Sequence, residues 1–309
     1  MNVAIAGGGG GVGASVAFNL LTAPDHADVA LLDSRREMVL SHLWDLEQVL
    51  EQDASGTIRE GGAEDLAGAD VVVVTAAAPL TVNQSRMVYL RDNAEIVAGV
   101  ADALPDGWPG VLLIVTNPVD PLCTWIQQRT GLDRRRVLGY TLNDSLRLRT
   151  GVAKALGRAP GSVEAWTIGE HGEHAVMLWD RIQVDGAPVT LTEAQRREAQ
   201  EFVSGWYVRH VALDSGRSST WTSGRGVARM VRALGGGERR PWPASMLLNG
   251  EYGIDGVSLS VPVLLGPGGG EQIDEWPLTA EQRSAVAAGA EFVRAAAAQL
   301  TGPGAQTAR

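Results

Sequence analysis

The stretch "AIAGGGGGVGAS", residues 4–15, constrains this chain more than any other. Glycine loses the most conformational freedom on ordering, so five in a row propagate neither a strand nor a helix well. They form a turn between the apolar run Asn2–Ala6 and the helical pattern Val12–Leu21. Within that turn Gly8, Gly10 and Gly13 fall in G-x-G-x-x-G spacing. Glycines so placed let the backbone approach a pyrophosphate held at a helix N-terminus. A second apolar run ends in "LLD" and sets Asp33 twenty residues beyond Gly13, where a carboxylate accepts from a ribose hydroxyl. The spacing alone could arise in any glycine-rich chain; the strand before it, the helix after it and Asp33 make it a predicted dinucleotide site. Asp33 would repel a 2′-phosphate and so favours NAD over NADP, a preference that Arg35 and Arg36 soften.

The N-terminal half continues in alternation. Apolar runs at Val29–Leu32, Val71–Thr75 and Val111–Val115 read as strands, and Arg36–Gln52 and Arg86–Leu104 as helices. The strand runs are continuous rather than alternating, which predicts strands covered on both faces and hence a parallel, doubly wound α/β sheet of Rossmann type. After about Gly139 the pattern changes. Longer helices follow (Asp144–Leu156, Glu193–Leu213, Gly224–Leu234, Ala280–Leu300), together with strands bearing turns in "DRIQVDGAPV" and "DGVSLSVPVLLG". The expectation is a dinucleotide-binding domain over residues 1–140 and an α+β substrate and catalytic domain over 141–309, with "GGGERRPWP" and "GPGGGEQ" as surface loops.

Composition narrows the partners. At 309 residues, 45% of them hydrophobic, the chain can bury a large core, and its net charge of −10 argues against nucleic acid or an anionic membrane surface. A single cysteine, Cys123, excludes an internal disulfide and suits a reducing compartment. No stretch has the length and apolarity of a membrane span or a signal peptide. A cytoplasmic protein is the expectation.

Three polar segments require a chemical reason. "VTNPVD" places Asn117 just past a buried strand, on the carboxyl edge where open α/β sheets bind ligands, although an asparagine before proline also fits a plain turn. "TLNDSLRLR" carries Asp144 and Arg147 three apart and so on one helix face, as a surface ion pair would also be. "TIGEHGEHAVMLW" sets His171 between glycines after an apolar strand. An aspartate beside a histidine fixes its tautomer, and arginines hold a carboxylate or polarise a carbonyl. Taken together, these are groups suited to hydride transfer to a 2-oxo acid.

The chain resembles the NAD-dependent L-lactate/L-malate dehydrogenase family nearly end to end, through "GGGGGVGAS", "LLD", "DLEQ", "TAAAP…SR", "NAEIV", "VTNPVD", "NDSLRLR", "GEHGEH" and "LNGEYGIDGVSLSVPVLLG". The resemblance implies that His171 is the proton donor and acceptor, Asp144 its orienting partner and Arg147 the clamp on the substrate's C1 carboxylate. Arg86 matches the loop arginine that swings in to polarise the carbonyl, and Asn117 the asparagine facing substrate and nicotinamide. It also implies cofactor contacts from Gly8, Gly10, Val12, Gly13, Asp33, Thr75, Ala76, Asn93 and Asn117. A homodimer or homotetramer is implied too, with the helix containing "LWDLEQV" a candidate interface.

The departures from the family concern the substrate. Malate dehydrogenases of this family carry a loop resembling "PRKPGMSR", whose first arginine pairs with a second carboxylate. Here the loop reads "PLTVNQSR" and Leu80 stands in that place. A buried carboxylate without a partner costs several kcal/mol. Leu80, Val82 and Ser219, the last near the family's other size-determining position, therefore predict an uncharged side chain on a monocarboxylate. The alternative is a malate dehydrogenase in which Arg217 supplies the missing cation. Asn143 before Asp144, and His174 near His171, are further departures that could act on the dyad. Two other classes share the nucleotide domain. One is an NAD-dependent glycosidase, which needs a Cys/His-bound metal; here Cys123 lies in an apolar helical pattern without ligand spacing. The other is an inactive NAD-binding sensor, against which the joint presence of His171, Asp144, Arg147 and Arg86 argues. The nine tryptophans are expected to lie mostly in the core, and none is assigned to the site.

Overall fold

The computed structural model describes residues 1–52, 54–79, 89–237 and 239–301. It begins with β1 (Asn2–Ala6), α1 (Gly11–Leu21), β2 (Ala27–Leu32), α2 (Arg36–Leu50), β3 (Gly56–Glu60), α3 (Ala63–Gly68), β4 (Val71–Val74), α4 (Leu90–Ala101), β5 (Val111–Ile114), α5 (Val119–Thr130) and β6 (Val137–Tyr140). These six strands lie parallel in the order β3-β2-β1-β4-β5-β6. β4 and β5 are buried at every residue, as their uninterrupted apolar runs require for strands covered on both faces.

The chain then forms α6 (Leu142–Leu156), β7 (Val163–Glu164), β8 (Thr167–Gly169), β9 (Ala175–Met177), β10 (Gln183–Val184), β11 (Ala187–Pro188), α7 (Glu193–Ser204), α8 (Trp206–Val211), α9 (Thr220–Leu234), β12 (Pro241–Asn249), β13 (Asp255–Gly266), β14 (Gly269–Ile273) and α10 (Ala280–Ala298). β12 pairs antiparallel with β6, Ala244 opposite Tyr140 and Ser245 opposite Gly139. Among the described residues the parallel sheet therefore runs on through β12, β13, β8 and β9, with β14 paired to β13, as one eleven-stranded mixed sheet. Gly139 permits the join: a β-carbon there would meet Val119, Ser245 and Cys123.

Several elements differ from the sequence expectation. β3 is an edge strand with Ile58 as its one buried residue, and such a strand carries almost no periodic signal. The single helix expected over Glu193–Leu213 is two, divided at Gly205, a poor helix former whose missing side chain leaves room for the Arg209 guanidinium. "GPGGGEQ" is no surface loop: it closes the β13–β14 hairpin, and Gly269, at φ +97°, backs onto the Arg135 carbonyl. In "GGGERRPWP", Pro241 already begins β12 and Trp242 is buried. Of the nine tryptophans, expected mostly in the core, only Trp108, Trp125 and Trp242 are buried, while Trp44 at 67% and Trp221 at 69% exposure stand on the surface.

Candidate active site

The carboxyl ends of β1, β2, β4 and β5 bring the first group of residues together, as open α/β sheets do where the strand order reverses. Gly7, at φ +96°, turns the chain off β1; a β-carbon there would fall on the Ala76 amide, so the glycine turn and the loop after β4 approach with no room for a side chain. A β-carbon on Gly13 would strike the Gly7 carbonyl, which is why the third glycine of the spacing is needed where α1 leaves the turn. Gly10 caps α1 without a side-chain hydrogen bond, leaving the first-turn N–H groups open toward an anion. Gly8 packs against Leu31, and Val12 is half-buried in the same first turn.

Asp33 follows β2 and accepts from the Gly9 amide at 3.1 Å through Oδ2, and from the Arg35 amide at 3.0 Å and its Nε at 3.3 Å through Oδ1. Arg36 turns away to a bidentate pair with Glu60. Thr75 donates from Oγ1 to the Ala6 and Gly7 carbonyls, and the Ala76 amide donates to Ala6 as well. Asn93, buried on α4, accepts from the Ala78 amide at 2.7 Å and donates to the Asn117 carbonyl at 2.7 Å, fastening two crevice loops together. The Asn117 side chain is exposed beside them. A crevice without side chains on its glycines, with a carboxylate at its far wall, fits a dinucleotide.

The second group forms where α6, the β8–β9 turn and the start of α9 converge. Asp144 sits in the first turn of α6, where the helix dipole favours a carboxylate. Its Oδ2 meets His171 Nδ1, and its Oδ1 accepts from Arg147 Nη1 at 3.1 Å. One carboxylate thus orients both an imidazole and a guanidinium, and all three side chains are largely covered. Arg147 Nη2 lies 3.5 Å from the hydroxyl of Ser219, the N-cap of α9. Nδ1 of His171 is turned to the carboxylate, so Nε2 is the ring nitrogen that faces away from Asp144. A fixed imidazole beside a planar fork can bind a carboxylate while moving a proton at the adjacent carbon's oxygen.

The remaining candidates separate from this cluster. Asn143 does not turn to the dyad: it accepts from the Tyr140 hydroxyl at 2.9 Å and donates to Ser223 at 2.9 Å, joining α6 to α9. The ring of His174 packs against Phe292 of α10, with centroids 4.8 Å apart. The Arg217 guanidinium lies 5.2 Å over the exposed Trp221 ring. Cys123 is buried, burial pushes its thiol well up, and the described residues hold no cluster of three or more groups that could bind a metal. Leu80, Thr81, Val82, Asn83 and Arg86 lie outside the described residues.

Two neighbours of the cluster escaped the sequence reading. The Trp206 ring lies under the Arg147 guanidinium at 4.1 Å and stacks on His210 at 4.9 Å. Asp120, 1% exposed, accepts from the His171 amide at 2.6 Å. "VTNPVD" contained the second signal, a charged residue in an otherwise apolar helix start; nothing local marked the first.

Known proteins match the chain along its length. A family model described as lactate/malate dehydrogenase, NAD binding domain, matches residues 1–139, and one described as lactate/malate dehydrogenase, alpha/beta C-terminal domain, matches residues 141–300. A malate dehydrogenase of Halobacterium salinarum is 31% identical, over 95% of this chain and 97% of that protein. L-lactate dehydrogenase 2 of Staphylococcus aureus is 32% identical, over 90% of each. The structure of a minor L-lactate dehydrogenase from Enterococcus mundtii superposes with a TM-score of 0.86 at 25% identity, covering 96% of this chain and 98% of that one. Among the described residues no helix is long and apolar enough to cross a membrane. Matched in both halves by one family's models, and similar over nearly its whole length to enzymes of both names, the chain belongs to the lactate/malate dehydrogenase family of NAD-dependent oxidoreductases.

Proposed function

We propose that the chain transfers a hydride between NAD(H) and C2 of a small 2-oxo or 2-hydroxy acid, and that its substrate is a monocarboxylate with an uncharged side chain. The observation carrying the reaction is the shared Asp144 carboxylate, which holds His171 by one oxygen and Arg147 by the other. Bound NAD supplies the hydride donor or acceptor. Gly8, Gly10, Val12 and Gly13 would hold its pyrophosphate, Asp33 its ribose, and Thr75, Ala76, Asn93 and Asn117 would line the way to the nicotinamide.

Arg147 binds the substrate's C1 carboxylate through its fork and so fixes which face of C2 is presented. His171 Nε2 gives its proton to the carbonyl oxygen during reduction and takes it from the hydroxyl during oxidation. Asp144 keeps the other proton on Nδ1 and stabilises the imidazolium. Arg86 polarises the carbonyl from the loop. Leu80, Ser219 and Val82 would meet the C3 substituent; the Arg217 cation is engaged over Trp221 rather than paired within the Asp144–Arg147 cluster, which supports an uncharged substituent. NADH oxidation against a panel of 2-oxo acids tests this: faster turnover of oxaloacetate than of every 2-oxo monocarboxylate overturns the substrate class.

We also propose a nucleotide unit over residues 1–140 and a substrate unit over 141–309, in a cytoplasmic homodimer or homotetramer. Exposed Phe18, Trp44 and Trp221 on α1, α2 and α9 support association with a second copy, because α1 packs on both of the other helices and the three stand on adjoining elements. Sedimentation of the purified protein as a monomer overturns it.

A further inference from the structure

The turn that carries His171 has a second tether. Asp120, in the first turn of α5, accepts from the His171 amide at 2.6 Å across 51 residues of sequence. The rest of its carboxyl is buried, with the Ser245 hydroxyl beside it. A carboxyl taken wholly out of water for so few donors is costly, and a leucine of similar size would avoid that cost. Its bond to the His171 amide fixes the position of that backbone. Within the turn, Gly169 is at φ +90° and the His174 amide donates to Glu170 at 2.9 Å. Glu170 therefore shapes the turn from inside, while Asp120 ties it to the nucleotide-side helix.

We propose that Asp120 is a positioning residue for His171, holding the backbone of the 169–174 turn so that the imidazole stays in line with Asp144 and the substrate. The inference rests on the proposed hydride-transfer reaction. Displacing a reacting group by about 1 Å can cost on the order of a hundredfold in rate. The titratable groups facing Asp120 are His171, Glu170 and Cys123, with the neutral Ser245 hydroxyl nearby. Burial is the main cause that pushes the Asp120 carboxyl up to about 7.

Asp120→Leu and Asp120→Asn test this in the full chain. Asparagine keeps an acceptor for the His171 amide but cannot ionise. The expected result is that Asp120→Leu lowers kcat roughly ten- to hundredfold with NADH binding unchanged, and that Asp120→Asn restores kcat to within a few-fold of wild type. Hydrogen exchange of a 169–174 peptide should rise in Asp120→Leu and not in Asp120→Asn. A leucine variant with wild-type kcat and wild-type exchange overturns the proposal. If the leucine variant does not fold, Asp120→Ala replaces it, and wild-type kcat with wild-type exchange in that variant overturns the proposal. Wild-type protein inactive on every 2-oxo acid sinks the reaction, while the exchange measurement still decides the tether.

Discussion

The guanidinium of Arg147 lies 4.1 Å over the ring of Trp206, while its edge reaches Asp144 and Ser219. The face of the fork is thus covered by an aromatic ring, while its edge is held by Asp144 and Ser219. A cation–π contact of about 0.5–2 kcal/mol corresponds to about a 2- to 30-fold change in affinity. Trp206→Ala should therefore raise KM for the 2-oxo acid by that factor with a smaller change in kcat, and Trp206→Phe should recover most of it. Steady-state kinetics at saturating NADH check this; an unchanged KM in Trp206→Ala removes Trp206 from the substrate clamp.

His171→Asn should retain NADH binding and lose turnover by roughly 10²–10⁴-fold, the usual contribution of a positioned general acid–base. Asp144→Asn should also slow the reaction, because the amide no longer supplies the charge that stabilises an imidazolium and holds its tautomer. Fluorescence titration with NADH beside single-turnover rates separates binding from chemistry. A His171→Asn enzyme as fast as wild type would falsify the dyad.

Asp33→Ala should raise the Michaelis constant for NADH by about tenfold or more, the worth of a hydrogen bond to a charged group. It should also relax discrimination against NADPH, since the carboxylate that accepts from the ribose also repels a phosphate. Competition between NADH and NADPH measures both effects. Wild-type preference for NADPH would point instead to Arg35, whose Nε already reaches toward the Asp33 carboxylate.

Stability should depend on pH through Asp120. Burial raises its folded carboxyl to about 7, whereas the unfolded chain keeps the ordinary aspartate value of 3.8. Between those values the folded protein holds a proton that the unfolded chain has released. The contribution is fully present below about pH 4 and is lost as pH rises through about 7, amounting at most to on the order of 4 kcal/mol. Asp120→Asn cannot ionise, so denaturant midpoints for wild type relative to this variant should fall across that window. A parallel pair of curves would show that the carboxyl titrates in its ordinary range.

Leu80→Arg should move preference toward oxaloacetate. A substrate alkyl group gains about 0.8 kcal/mol per methylene buried against an apolar side chain, and a second carboxylate gains only when a cation meets it. Parallel panels on wild type, Leu80→Arg and Arg217→Ala separate the sources of that cation. Oxaloacetate preference in wild type that disappears in Arg217→Ala would identify a malate enzyme with a relocated arginine.

Local chemistry made much of the molecule legible before any folding. Five glycines, "LLD" and the uninterrupted apolar runs at Val71 and Val111 encode turns and doubly covered strands through nearest-neighbour sterics and burial, so the parallel nucleotide-side sheet follows from the sequence alone. The approach of Asp144 to Arg147 is likewise local, being one helical turn. Edge strand β3 and the break at Gly205 were hidden because one buried residue, or one glycine, leaves no period to read. Tertiary packing alone decided that β12 extends the parallel sheet through β6, that Trp206 lies on Arg147 while Trp44 and Trp221 face outward, and that His171 is gripped from 27 residues away by Asp144 and from 51 away by Asp120. Side-chain type and spacing state what each segment can bury, but contacts between distant segments depend on which faces meet when all of them are buried together, and that choice belongs to the packed whole.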